Sequence, residues 1–171
     1  MNDQQTSESW VAALERSIGQ ITAILANRDF PTGERAVLRR MGPGQPLPLT
    51  FYRFAFRYLP DGWERDIQDW ITIVAGIALM APDAHRPEVG FGLALAQAGY
   101  AETRLERLLS SRGETRRVLF LRAVRYLVSH TISFNWIQGA RLLLIRDPER
   151  LELLQRQVAR DFYRELHNTA R

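Results

Sequence analysis

The stretch 63-WERDIQDWITIVAGIALMA-81 contains the most apolar run of the chain, about twelve residues from Trp70 to Ala81. A membrane-spanning helix needs ~20 such residues, so this run reads as a helix enclosed in a protein core. Asp61 and Glu64, three residues apart, have the spacing of a capping box in front of it. Asp66 and Asp69 stand beside Trp63 and Trp70. Acids are favoured in the first turn by the helix dipole. That explains the two aspartates more simply than a catalytic acid pair does.

Outward from this helix the pattern stays helical. Trp10, Leu14, Ile18, Ile21 and Leu25 recur at 3–4 spacing in "SESWVAALERSIGQITAILAN", where the serines read as caps and the spacing as one apolar face. "MGPGQPLP" (41–48) is a loop, because three Pro and two Gly in eight residues do not continue a helix. A helix over "TFYRFAFRYL" follows and stops at Pro60. Further helical segments are "VGFGLALAQAG", "AETRLERLLSS", "GETRRVLFLRAVRYLVSHT" and "FNWIQGARLLLI". The last helix begins at Asp147 as N-cap with Pro148 in its first turn. No alternating strand pattern and no internal repeat is visible. The expected fold is all-α, with eight or nine helices in two small packed bundles, residues 1–84 and 85–171. "PDAHRP" (82–87) is the expected hinge between them.

With 171 residues, 46% hydrophobic and 25% charged, the chain is long enough to bury a core. It has no cysteine, so no disulfide framework, and a reducing cytoplasm suits it. The first residues, "MNDQQTSESW", lack the basic and apolar regions of a secretory leader. The net charge is +4, and all 23 basic residues are arginine. Every cation is therefore a planar fork suited to phosphate or carboxylate. The charge is patterned. Residues 1–34 are net −3, residues 35–60 are +5, residues 61–91 are −4, residues 92–125 are +4 and residues 126–171 are +2.

Chemistry of an enzymatic kind is not visible. His85, His130 and His167 are far apart and none has a ligand-type neighbour at helical spacing. There is no phosphate-binding P-loop, no GxSxG and no HExxH. "GFGLALAQAG" lacks the preceding strand that a dinucleotide site requires. No catalytic residue, metal or cofactor is expected.

The arginines are the informative feature. Arg35, Arg39, Arg40, Arg53 and Arg57 fall in a stretch, 35–60, without one acid. In "AETRLERLLSS", Glu102 and Glu106 flank one side of the apolar arc, and Arg104 and Arg107 fall on another. Neither arginine has an acid three or four residues away, the spacing that pairs charges along a helix. Arg112, Arg116 and Arg117 stand at the start of the next helix, where cations oppose the dipole. Arg122 and Arg125 occupy a narrow polar strip further along it. Arg156, Arg160 and Arg164 differ, since Glu152 and Asp161 lie within a turn of them. Tyr52 and Tyr58 read as core aromatics rather than base-stacking ones. No base-reading motif is present, which leaves sequence-independent contacts to phosphate.

The series "GERAVLRRMGPGQPLPLTFYRFAFRYLP", "GYAETRLERLLSSRGETRRVLFLRAVRYL", "FNWIQGARLLLI" and "ARDFYREL", in that order over about residues 33–166, resembles the small subunit (CasB type) of the type I-E CRISPR surveillance complex, Cascade. The resemblance implies an all-helical, non-catalytic subunit. It implies contacts with CRISPR RNA and target DNA (both strands), with other Cascade subunits, and with a second copy of itself in the complex. It also implies that Arg35, Arg39 and Arg40, Arg104, Arg107 and Arg112, and Arg122 and Arg125 lie on its basic surfaces. RNA-guided recognition asks just this of a subunit, because base pairing reads the sequence. A helical protein–protein scaffold, its arginines facing acidic partners, is the alternative.

Overall fold

The computed structural model describes residues 2–171, with side chains from residue 8 onward. Among the described residues there are nine α-helices and one 3₁₀ turn. The helices are α1 (Asn2–Ala26), α2 (Thr32–Arg40), α3 (Leu49–Tyr58), α4 (Ile67–Met80), α5 (Phe91–Gln97), α6 (Glu102–Ser110), α7 (Gly113–Ser129), α8 (Trp136–Leu144) and α9 (Pro148–Thr169). Among the described residues no strand forms, and an isolated parallel bridge joins His85 and Phe134. The chain is all-α. Two expected boundaries move. α1 begins at Asn2, upstream of the serines read as its caps. Residues Trp63–Asp66 form the 3₁₀ turn rather than the first turn of the apolar helix. Gly62 there takes φ 82°, which places Gly62 and not Asp61 at the cap, so the capping box does not form.

α4 is the centre of the fold. Eleven of its 14 residues are buried, so no face is left for solvent. It packs against α1, α2, α7 and α8. Its Thr72 hydroxyl donates to the Gln68 carbonyl at 2.8 Å, which satisfies a polar group in an apolar setting. Gly76 leaves room for the Trp136 indole; a Cβ there would collide with the ring. Trp136 joins Phe134, Phe91 and Phe120 in an aromatic cluster, with ring centroids 4.8 Å apart for Phe134–Trp136 and 4.9 Å for Phe91–Phe134. α5 lies against α9, where Gly92 touches the Val158 carbonyl and no side chain would fit. The buried residues form one continuous cluster that includes Leu14 and Phe162.

Asp147 caps α9 as its sequence indicates, accepting from the Arg150 amide at 3.1 Å. Asn135 does the same for α8, accepting from the Ile137 amide at 3.0 Å. The 82–90 segment is stitched to residues 134–138. The Arg86 amide donates to the Phe134 carbonyl at 3.0 Å, the Asn135 amide to the Val89 carbonyl at 2.7 Å, and the Phe91 amide to Gln138 Oε1 at 2.5 Å. Among the described residues no helix is long and apolar enough to cross a membrane.

His85 gives this seam a pH dependence. Its Nδ1 accepts from the Trp136 amide at 3.0 Å, which requires a neutral, Nδ1-unprotonated ring. Burial holds its pKa below the ordinary imidazole value, against the opposing pull of Glu88. A depressed imidazole pKa means that the unfolded chain takes up the proton first. The stabilisation is therefore complete above about pH 6.5 and is lost as pH falls below it. The thermal midpoint should drop between pH 7.5 and pH 5.5. The drop should be smaller in His85→Asn, whose amide oxygen replaces the acceptor without titrating. Equal drops in both proteins would contradict this.

Candidate nucleic-acid interface

α6 and α7 are helices whose apolar sides are anchored. Leu105 and Leu108 bury on α6, and Phe120, Leu121, Ala123, Val124 and Leu127 on α7. This anchoring turns Arg104, Arg107, Arg122 and Arg125 to the exterior. Tyr100, Arg104, Arg107, Leu119, Arg122 and Tyr126 wall a groove of about 310 Å³ between the two helices. It shares Arg107, Leu119 and Arg122 with a neighbouring hollow of about 550 Å³ that also includes Ser110, Ser111, Glu114 and Thr115. Among the described residues, none of Arg104, Arg107, Arg122 and Arg125 forms an ion pair. Three guanidinium groups thus share one groove without a bound carboxylate.

The aromatic wall is fixed. Tyr126 donates its hydroxyl to the Ala98 and Gly99 carbonyls at 3.1 and 3.2 Å, and its ring meets that of Tyr100 edge to face at 5.2 Å. The His130 ring lies 4.3 Å from Tyr126 on α7. Burial raises the pKa of Tyr100, partly offset by the positive fields of Arg104 and Arg122. The groove therefore offers positive charge beside the partly exposed Tyr126 ring, whereas Tyr100 is buried at 6% exposure and backs the wall; charge with one aromatic face suits a nucleic-acid backbone with a base.

The start of α7 is different. Arg112 is exposed, but Arg116 is buried and its Nε donates to the Ser111 carbonyl at 2.8 Å. Burial, then the charge of Arg112, lowers its pKa. The Arg117 Nε donates to Asp69 Oδ1 at 2.7 Å, and the Asp69 side chain is only 3% exposed. Arg146 reaches the other oxygen of Asp69 and also Asp66 at 2.8 Å. Arg117, expected on the basic surface from its place at a helix start, is bound to an acid 48 residues earlier on α4. Arg146 was invisible to a search for local patterns. The one signal that pointed to it was Asp69 itself, an acid in the most apolar helix.

The acid-free 35–60 stretch likewise finds partners outside itself. Arg53 pairs with Glu34 at 3.6 Å, just outside the acid-free interval. Arg53 and Arg57 line a hollow of about 340 Å³ that also holds Asp29 and Glu34. Arg57 lies 5.3 Å from the Tyr58 ring. Arg35 donates to the Asn27 carbonyl at 2.7 Å and lies over Phe30. Arg40 donates to the Ala36 carbonyl at 3.0 Å; Arg39 is exposed. Of the five arginines, Arg53 and Arg57 line that hollow and Arg35, Arg39 and Arg40 do not. Tyr52 and Tyr58 pack against the core. On α9, Arg156 bonds Glu152 at 2.5 Å, whereas Asp161 and Arg164 form no ion pair among the described residues.

The model of a family described as CRISPR-associated protein Cse2 matches residues 34–163. No curated protein matches the chain. The matched segment runs from α2 into α9 and includes both walls of the α6–α7 groove.

The two classes of arginine separate in a stability measurement. Asp69→Asn leaves Arg117 without its acid and Arg146 with Asp66 alone. It should cost roughly 3 kcal/mol, the low end for breaking a buried pair, because the half-exposed Arg146 is free to turn to water. Arg122→Ala with Arg125→Ala should change stability by less than about 1 kcal/mol, as exposed substitutions do. Urea denaturation followed by circular dichroism checks both. Similar losses would contradict the division.

Proposed function

The chain belongs to the CRISPR-associated Cse2 family, the CasB-type small subunits of type I-E Cascade, and we propose that within such a complex it grips nucleic acid without catalysis, chiefly through the α6–α7 groove. The observation that carries this reading is the convergence of Arg104, Arg107 and Arg122 on one groove with no ion pair among the described residues. Unneutralised guanidinium groups repel one another, and a polyanion relieves that repulsion. Arg125 and Arg112 extend the positive surface along α7, and Arg39, Arg40 and Arg57 add exposed charge in the N-terminal half. Arg116 and Arg117 have a structural role in this proposal: one is buried and the other is bound to Asp69.

The nucleic acid in question is the guide RNA–target DNA region and the displaced DNA strand, held by phosphate contacts while pairing reads the sequence. Tyr126 supplies partly exposed aromatic surface beside the charges, a feature of single-strand grooves. The working place is the cytoplasm, the partners are the other Cascade subunits, and a second copy lies alongside. The competing reading, a scaffold whose arginines meet acidic proteins, makes the same use of charge but not of phosphate geometry.

Three groove arginines that each engage one phosphate give a slope of log affinity against log salt of about −2 to −3. Arg104→Ala with Arg122→Ala should make that slope shallower by about 1.5 while the thermal midpoint stays in place. Anisotropy titrations of a labelled mixed-sequence oligonucleotide over a salt series measure both. A salt-independent affinity, or equal binding of a polyglutamate chain, would favour the scaffold.

A further inference from the structure

The same helix that presents Arg104 and Arg107 to the α6–α7 groove carries Glu102 and Glu106 against α9. There they rim a second groove, of about 380 Å³, with Leu105, Leu109, Ala159 and Tyr163 as its apolar lining. No cation lines it, although the chain as a whole is net +4. Neither glutamate forms an ion pair among the described residues. The groove is braced by Gln155, whose Nε2 donates to the Leu109 carbonyl at 2.7 Å across the two helices. Tyr163 is 44% exposed and donates its hydroxyl to Glu102 at 3.1 Å. That hydrogen bond, together with the negative fields of Glu102 and Glu106, raises its phenol pKa.

We propose that the α6–α9 groove is a docking site for a protein segment that presents an arginine or lysine beside leucine-sized side chains. Charge complementarity selects this occupant. Phosphate is repelled by two carboxylates that no local cation neutralises. A purely apolar segment would leave those carboxylates near hydrocarbon without a counter-charge, a cost that a cation removes. The lining supplies apolar contact for an aliphatic side chain and an aromatic face for the cation. The volume admits a few side chains and not a folded domain, so the partner inserts a helix turn or loop of a neighbouring subunit. α6 then stands between two ligands, nucleic acid on its arginine face and protein on its glutamate face. This rests on the charge segregation of α6 and not on the nucleic-acid reading.

The probe is a fluorescein-labelled amphipathic Leu/Lys peptide of roughly 14 residues, long enough to form a helix on binding, with Leu/Gln and Leu/Glu counterparts. Anisotropy against the full chain should show the Leu/Lys peptide binding, the Leu/Gln peptide weaker and the Leu/Glu peptide weakest. Glu102→Gln with Glu106→Gln should weaken the Leu/Lys peptide by about tenfold or more, as loss of two charge-assisted contacts does. Ala159→Trp, which fills the groove without touching a charge, should weaken it comparably. Asp61→Asn with Glu64→Gln, exposed acids elsewhere, should change it less than about twofold, and oligonucleotide binding should not fall in the glutamine double. Far-ultraviolet melts confirm that the variants fold. The proposal is overturned if the Leu/Lys peptide does not bind, if it binds all variants alike, or if the Leu/Glu peptide binds as well. Sedimentation showing that the glutamine double abolishes self-association would assign the groove to a second copy and overturn it too.

Discussion

Asp69 sets the frame of this molecule. It is a carboxylate almost wholly withdrawn from solvent, on a helix with no open face, and it is held by Arg117 from α7 and Arg146 from the turn before α9. A buried charge without a partner is among the costliest defects a fold can carry. The three segments that meet at Asp69 are therefore constrained in rotation as well as position. With Arg117 turned inward on α4, Arg122 lies roughly 140° further round α7 at about 100° per residue. That rotation carries Arg122 out of the core and toward α6. The ion pair that locks the core thus also aims the groove, and one helix carries arginines of both kinds.

Arginine here serves two physical purposes, and the presence of a partner within reach separates them. Where a guanidinium has an acid within reach, as at Arg117, Arg146 and Arg53, it joins segments distant in sequence, and Arg116 ties the start of α7 to the Ser111 carbonyl. Where a guanidinium stands exposed without an acid, as at Arg104, Arg107, Arg122 and Arg125, it contributes field rather than stability. In the function proposed for this Cse2-family chain, nucleic acid is the partner of that field. Proteins that leave sequence reading to base pairing need charge and shape on their surface, not base-specific side chains.

Much of the architecture was legible in the order of residues because helices write their own periodicity. The loop at 41–48, the helix stop at Pro60 and the Asp147–Pro148 start are local, and each occurs where its chemistry indicates. Capping at 61–64 was misread because Gly62 can adopt a left-handed backbone that moves the cap by one residue. The partners of Arg53 and Arg117 were illegible for a different reason. A test of positions three or four residues away sees only neighbours on one helix, whereas these acids lie 19 and 48 residues off and meet their arginines only after packing. The exposure of Arg104, Arg107 and Arg122 was legible, since anchored apolar arcs dictate it. That these three share one groove with Tyr100 and Tyr126 was not, because the crossing of α6 on α7 is a tertiary fact.

The most direct test is photocrosslinking of the assembled complex, carrying guide RNA and a target DNA substituted with 5-bromouracil, followed by mass spectrometry of the adducts on this chain. If the α6–α7 groove grips the nucleic acid, adducts fall on Tyr126 and on the peptides that bear Arg104, Arg107 and Arg122. Adducts confined to α2 and α3, or to α9, with none on the groove would show that the unpaired arginines of α6 and α7 do not meet nucleic acid.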